Sequence, residues 1–151
     1  MKLNHVVLFV RDLPKMADFY QRVLGLEVAE KIGENAIFFR IPSGGNHHDL
    51  ALISAGSDAK LPGDGPRTGL YHIAWELKTF ENLLEAREDL AQSGALVGES
   101  EHGNSLSLYS KDPEGNEFEV FWMLPESEWK KRGFGIRALD LEKEKVKWSK
   151  S

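Results

Sequence analysis

Residues 3–10 have the sequence LNHVVLFV, a short apolar run of the kind that forms a β-strand. A helix is predicted directly after it at residues 13–24, where apolar side chains recur at helical spacing. Asp12 is placed to cap the start of this helix, and Gly25 to end it. Three more strands are predicted between turn residues, at residues 27–32, 36–41 and 48–54.

The same order of elements returns in the second half of the chain, after a loop at residues 55–68 that is rich in Gly and Pro. A strand, a helix and three strands are predicted there, at residues 70–77, 80–92, 95–97, 105–109 and 117–123. The repeat predicts an α+β fold with two tandem βαβββ modules in a single domain of residues 1–151. Their limits are about 1–56 and 68–124, followed by a C-terminal tail at 125–151.

Two histidines occupy matching places in this repeat, because His5 and His72 each lie early in the first predicted strand of a module. Glu119 lies in the last predicted strand, between apolar neighbours. Two histidines and one carboxylate are the ligand set of a metal site with open coordination positions. Strand alternation places further residues on the same faces, namely Val7 and Phe9 with His5, Ala74 with His72, and Phe121 with Glu119. We therefore expect a cupped mixed sheet around a metal site.

Each of these residues also has a purely structural interpretation. A histidine in a strand is often only hydrogen-bonded within the protein. A buried carboxylate such as Glu119 needs a partner, and a nearby Lys or Arg is the simplest one. The residues alone leave both interpretations open.

Composition limits the classes of function. The chain has 151 residues with a net charge of −5 and no Cys, so thiolate metal sites, disulfides and a Cys nucleophile are excluded. A negative net charge does not suit binding to the phosphate backbone of a nucleic acid. An apolar run of membrane-spanning length and a leader pattern are both absent from the sequence, which predicts a cytoplasmic protein without a membrane partner.

Several motifs resemble the vicinal oxygen chelate superfamily, also called the glyoxalase, bleomycin-resistance and dioxygenase fold. The match spans about residues 3–124 and rests on LNHVVLFVRDL at 3–13, GLYHIAWE at 69–76 and DPEGNEFE at 112–119. Two more segments resemble the extradiol catechol dioxygenase branch, namely HHDLAL at 47–52 and FWMLPESEW at 121–129.

This resemblance implies specific roles for residues. His5, His72 and Glu119 would hold iron(II), with Mn, Ni, Co or Zn as alternatives, while His48 would act as the acid–base catalyst and Tyr109 would hydrogen-bond the substrate. Alternatively, His47 and His102 would be inert loop residues. Tyr109 would alternatively pack in the core, with its hydroxyl hydrogen-bonded to the backbone. The implied substrates are dioxygen and a catechol-type aromatic diol, and a homodimer is expected. The residues expected to line the substrate pocket are Phe9, Leu50, Ala74, His102 and Phe121.

Two other functions remain open within the same resemblance. One is a redox-neutral metalloenzyme of the glyoxalase, epimerase or thiol transferase type, which would need a fourth protein ligand near His48 or Asp49. The other is a metal-free small-molecule binding protein. The tail at 126–151 carries several large apolar residues, which would cover the cleft or a neighbouring subunit.

Overall fold

The predicted repeat is present in both halves of the chain in the computed structural model, which describes residues 1–42, 44–63, 65 and 68–149. The chain divides into two compact units. Unit 1 comprises Met1–Asp64 with Asp112–Gly115, and unit 2 comprises Gly65–Lys111 with Asn116–Ser151. The predicted loop at 55–68 includes residues 64, 66 and 67, which lie outside the described residues, as do the last two residues of the tail.

Unit 1 has the predicted order of one strand, one helix and three strands. Its elements are β1 (Val6–Val10), α1 (Leu13–Leu24), β2 (Glu27–Ile32), β3 (Ala36–Arg40) and β4 (Leu50–Ser54). They form a four-stranded sheet in the order β1-β4-β3-β2, in which β1 and β4 are parallel and the other neighbours antiparallel.

Helix α1 begins and ends where its capping residues predict. The Asp12 side chain accepts a hydrogen bond from the backbone N–H of Lys15, which satisfies one of the free donors of the first turn. Gly25 ends the helix with a φ of 62°, a left-handed conformation that glycine adopts without a Cβ penalty. The buried side of the helix is apolar and consists of Leu13, Met16, Ala17, Phe19, Tyr20 and Val23.

Unit 2 repeats this topology and adds to it. Its elements are β5 (His72–Leu77), α2 (Phe80–Gln92), β6 (Leu96–Glu101), β7 (Ser105–Lys111), β8 (Glu117–Met123), α3 (Glu126–Arg132), β9 (Arg137–Ala138) and α4 (Leu141–Trp148). The sheet order is β5-β8-β7-β6-β9, and β5 is parallel to β8 as β1 is to β4. The α+β class and the two βαβββ modules are therefore confirmed.

Several strand boundaries differ from the sequence prediction, and three of the differences concern the candidate site or the tail. β1 begins at Val6, whose N–H donates to the Asp49 carbonyl, so His5 immediately precedes the strand rather than lying in it. β4 begins at Leu50, which leaves His48 in the preceding loop. β6 is longer than predicted because its end, Ser100 and Glu101, pairs with β9 of the tail.

The tail folds onto unit 2, a structure that the sequence pattern did not predict. Its short strand β9 pairs antiparallel with β6, through Ser100 opposite Ala138 and Glu101 opposite Arg137. The Trp129 indole donates to the Leu124 carbonyl, and the Trp148 ring lies edge-on to Trp122, 5.2 Å between centroids. The described part of the tail is thus an ordered edge of this sheet.

Among the described residues, we find no helix with the length and apolar character needed to span a bilayer.

Candidate metal and substrate site

The two predicted metal ligands of unit 2, His72 and Glu119, are neighbours. Strand β5 pairs with β8 so that His72 lies opposite Glu117 and Ala74 opposite Glu119. The Nε2 of His72 lies 3.2 Å from Oε2 of Glu119, and their side chains are 24% and 10% exposed. Glu119 therefore has the His72 imidazole as its nearest polar partner, where the structural interpretation expected a Lys or Arg.

Tyr109 extends this face across the next strand, because it lies directly opposite Glu119 in the β7–β8 pairing. Its ring is 5.8 Å from the His72 ring between centroids, close to edge-on. Its hydroxyl lies 3.0 Å from Nε2 of His102, so the side chain does not rely on the backbone for its hydrogen bond. Burial and, next, the charge of Glu119 raise the pKa of the Tyr109 hydroxyl, which favours its protonated form.

His102 connects Tyr109 to a serine that the sequence analysis did not identify. The Ser100 hydroxyl lies 2.7 Å from the same Nε2 atom that contacts Tyr109. Ser100 is 7% exposed and lies in β6, whereas His102 follows the end of that strand. The alternation of a strand, which brings residues i and i+2 to one face, is the signal that would have joined Ser100 to His102.

In unit 1, His5 and His48 lie side by side. Their rings are 4.5 Å apart between centroids, and the Phe38 ring meets His48 edge-on at 5.2 Å. His48 is partly buried, while His5 and His47 are exposed. Burial and, next, the nearby charges of His5 and His47 lower the pKa of His48, so its neutral form is favoured.

An asparagine pair positions these two histidines and was also missed from the sequence. Nδ1 of His5 lies 2.8 Å from the Asn4 side-chain oxygen, and the Asn4 amide donates to Asn46 at 3.1 Å. The Asn46 amide in turn donates to the carbonyls of Asn4 and His48, at 2.8 and 2.7 Å. The side chain of Asn46 therefore ties the segment before β1 to the segment before β4.

The expected pocket residues have different surroundings. Phe9 is 72% exposed and shares the face of Val7, as expected from strand alternation. Ala74 is exposed and Phe121 partly buried, on the β5–β8 face that carries His72 and Glu119. Leu50 is fully buried and lies opposite Val6, whose side chain alternates away from Val7 and Phe9. Leu50 is therefore in the core of unit 1.

The donor chemistry of unit 2 fits a divalent metal. Two donors about 2.1 Å from one ion and at right angles to each other are about 3.0 Å apart, close to the His72–Glu119 separation of 3.2 Å. The Nδ1 of His72 is buried and has no hydrogen-bond partner within the described part of the chain. Among the described residues, neither unit by itself brings three or more His, Asp or Glu side chains together for a metal. The complete predicted set needs His5 of unit 1 and stays a prediction.

Comparison with known proteins gives one matching family model. The model of the Glyoxalase/Bleomycin resistance protein/Dioxygenase superfamily matches residues 2–120. A similar protein is the catechol-2,3-dioxygenase of Bacillus subtilis (strain 168), with 31% identity over 85% of this chain and 44% of the relative. The chain spans between 34% and 62% of the length of five dioxygenase relatives, this one included.

An enzyme of a different class is similar at a comparable level. The ethylmalonyl-CoA/methylmalonyl-CoA epimerase of Cereibacter sphaeroides is 33% identical, over 76% of this chain and 92% of that protein. Among solved structures, a glyoxylase/bleomycin resistance protein/dioxygenase domain from Frankia sp. EAN1pec superimposes with a TM-score of 0.69. It has 23% identity over 82% of this chain and 98% of that chain, a likeness that supports the fold alone.

Proposed function

Because the chain belongs to the Glyoxalase/Bleomycin resistance protein/Dioxygenase superfamily, we propose that it is an extradiol ring-cleaving dioxygenase. Its substrates would be dioxygen and a catechol-type aromatic diol, and its cofactor non-haem iron(II). The observation that carries this proposal is the His72–Glu119 pair, with the Tyr109 hydroxyl and His102 on the adjoining strands. Similarity to a catechol-2,3-dioxygenase supports it.

The proposed ligands are His5, His72 and Glu119. Two neutral imidazoles and one carboxylate leave a divalent ion with a net charge of about +1, which favours a bound diol that has lost a proton. Iron(II), when bound, supplies the redox chemistry that joins the diol to dioxygen. Three protein ligands leave other positions open for substrates.

The polar residues would hold and move protons. The raised pKa of Tyr109 keeps its phenol protonated, so it is suited to donate a hydrogen bond to a substrate oxygen. The lowered pKa of His48 keeps its imidazole neutral, so it is suited to accept a proton from the diol and return it during ring opening. Phe9, Ala74 and Phe121 offer apolar surface for the ring of the diol.

The epimerase relative supports a second candidate function. The chain spans 92% of that enzyme, far more than of the dioxygenases, which favours a redox-neutral enzyme that polarises a carbonyl at a divalent metal. The two candidates differ in the role of His48, which is an acid–base group in the dioxygenase and a metal ligand in the alternative.

The deciding experiment is an anaerobic reconstitution with iron(II), followed by catechol or 3-methylcatechol in air. The dioxygenase predicts the yellow ring-opened semialdehyde. It also predicts that His48→Ala lowers turnover by at least about 100-fold while iron stays bound, and that Tyr109→Phe lowers it by about tenfold. Lys130→Gln, at an exposed position of the tail, is the control and should retain activity.

Two results would reject the dioxygenase. Tight binding of Mn, Co, Ni or Zn with no iron uptake would favour the redox-neutral enzyme. Loss of metal in His48→Ala would make His48 a ligand, which also favours that alternative.

A further inference from the structure

The loop that carries His102 is in direct contact with the C-terminal tail. Gly103 has a φ of +85°, and a Cβ atom built at this position would overlap the backbone carbonyl of Gly133. The backbones at Gly103 and Gly133 are therefore so close that only glycine, which has no Cβ, fits at position 103. Gly103 is itself buried.

Hydrogen bonds hold the same loop from both sides. The Gly135 N–H donates to the His102 carbonyl at 3.3 Å, which attaches the loop to the tail. The His102 N–H donates to the Ser105 carbonyl at 3.0 Å, and the Leu124 N–H to the Asn104 carbonyl at 2.9 Å. The backbone of residues 102–104 is thus fixed by β7, by the end of β8 and by the tail.

A buried ionic cluster anchors this part of the tail. Arg132 donates from both terminal nitrogens to the two carboxylate oxygens of Glu144, at 2.8 and 2.9 Å, and its side chain is 15% exposed. The same guanidinium lies 3.7 Å from Glu101, the residue before His102. Arg137 also lies 3.4 Å from Glu101 and donates to the carbonyls of Arg132 and Gly133.

We propose that residues 133–135 are a positioning element for His102, holding its imidazole against the hydroxyls of Tyr109 and Ser100. Side chains on β6 and β7 fix the partners of the ring, whereas the tail fixes the backbone from which the ring projects. The significance of this contact for catalysis rests on the proposed function, in which Tyr109 meets the substrate. The tail would then act on the reaction through His102 and Tyr109 without itself touching the substrate.

The test changes the tail and observes the histidine ring. Gly133 has φ 66° and ψ 150°, a conformation that is essentially restricted to glycine, and a Cβ there meets nothing within 4 Å. Gly133→Ala therefore alters the backbone of the tail without a new collision. Gly94→Ala is the matched control, because Gly94 has φ +71°, also has open space at its Cβ and lies in unit 2 outside the tail.

Two measurements are made on the whole chain, purified without added metal. Hydrogen exchange reports whether residues 136–148 open, and the nitrogen-15 spectrum of the His102 imidazole, assigned by its loss in His102→Gln, reports the environment of the ring. In Gly133→Ala we expect exchange in the tail to accelerate by at least about tenfold and the Nε2 signal of His102 to move. In Gly94→Ala we expect neither change.

Faster exchange in the tail with an unmoved His102 signal would overturn the proposal. If Gly133→Ala leaves the tail closed or fails to fold, Arg132→Gln replaces it, because Arg132 lies against Glu144 and Glu101. Lys130→Gln, at an exposed position, is then the control. Faster exchange in the tail with an unmoved His102 signal would again overturn the proposal. The readout needs neither substrate nor iron. Absence of ring cleavage with a shifted His102 signal would therefore reject the dioxygenase and leave the positioning contact intact.

Discussion

The two units carry different residues at equivalent points of the same sheet. In each unit, three residues that pair directly across neighbouring strands form a row. The row starts two residues after His5 in unit 1 and two residues after His72 in unit 2. In unit 1 this row consists of Val7, Ala51 and Phe38. In unit 2 it consists of Ala74, Glu119 and Tyr109. One scaffold is thus used twice, but a carboxylate and a phenol occupy this row only in the second copy.

The difference shows how each unit fixes its histidines. In unit 1 the aromatic ring of the row, Phe38, packs edge-on against His48, and the amide of Asn46 holds the backbone. In unit 2 a charge and a hydrogen bond take this role, through Glu119 at His72 and Tyr109 at His102. In the proposed function, packing suits His48, which acts as a neutral base, whereas the proposed metal ligands of unit 2 need the negative charge of Glu119.

The largest expected effect comes from removing that charge. Glu119→Gln keeps the shape of the side chain but removes the proposed anionic ligand. We expect the affinity for iron(II) to fall by more than about 100-fold, because the loss of a residue that only supports a ligand already costs about 10–100-fold. Metal titration under anaerobic conditions measures this.

Glu117→Gln is the matched control for that variant. Glu117 lies on the same face of β8, two residues earlier, and is partly exposed beside Lys111 at 3.6 Å. We expect its iron affinity to stay within about twofold of the wild type. Equal losses in the two variants would mean that the face as a whole attracts cations and that Glu119 has no special part.

Sequence reasoning recovered most of this scaffold. The bounds of α1, α2, β2 and β8 are the predicted ones, because their side-chain spacing agrees with the residues that bound them, the caps of the helices and the turns beside the strands. His5 and His48 were placed inside strands, since apolar neighbours made the predicted runs too long. Pairing across the sheet sets the true start of a strand, and a single sequence does not display that pairing.

The second expected effect concerns the tail, an element that unit 1 lacks among its described residues. Arg132→Gln leaves the buried carboxylate of Glu144 without its arginine and removes one of the two arginines beside Glu101, so we expect the tail to lose about 3 kcal/mol of stability. Hydrogen exchange of residues 126–148 measures this against Lys130→Gln, which lies on the same helix but is exposed. Equal exchange in both variants would contradict a stabilising role for the cluster.

The third expected effect is equal in the two units. Gly25 follows α1 with φ +62° and Gly94 follows α2 with φ +71°, and both have open space at the Cβ position. Replacing either by Ala costs only the left-handed conformation, so each variant should lose about 1 kcal/mol in unfolding by denaturant. A loss of several kcal/mol in one variant alone would show that its turn has a role beyond ending the helix.

The fourth expected effect is a dependence of the tail on acid pH. Hydrogen bonds from Lys147 and Lys131 lower the pKa of Glu128 from 4.5 to about 2, with Arg132 also 3.5 Å away. Because the folded pKa is depressed, the stabilisation by this carboxylate is complete above about pH 4.5 and is lost as the pH falls toward about 2. The protection of the tail amides, taken relative to their intrinsic exchange rate at each pH, should therefore fall over that range.

Glu128→Gln is the control for this titration. It should weaken the tail at neutral pH and make the protection of the tail amides less dependent on pH between about 4.5 and 2. An unchanged acid dependence in this variant would assign the effect to another carboxylate.

The tail was the part of the fold least accessible to sequence reasoning. Its apolar residues suggest a cover for the cleft or a subunit contact, which stays a prediction. Sequence reasoning did not anticipate that ionic pairs hold the tail to unit 2, where Phe134 and Ile136 are 86% and 79% exposed. Alternating Lys and Glu residues are typical of a solvated helix. Only the three-dimensional arrangement shows that Glu144 is buried against Arg132.

The proposed iron site would take a histidine from each unit together with Glu119. The most direct test compares anaerobic iron(II) binding by the wild type, His5→Ala, His72→Ala and the control His47→Ala. We predict that His5→Ala and His72→Ala each lose at least about 100-fold in affinity, while His47→Ala binds as the wild type does. Wild-type affinity in His5→Ala would contradict a site shared by the two units.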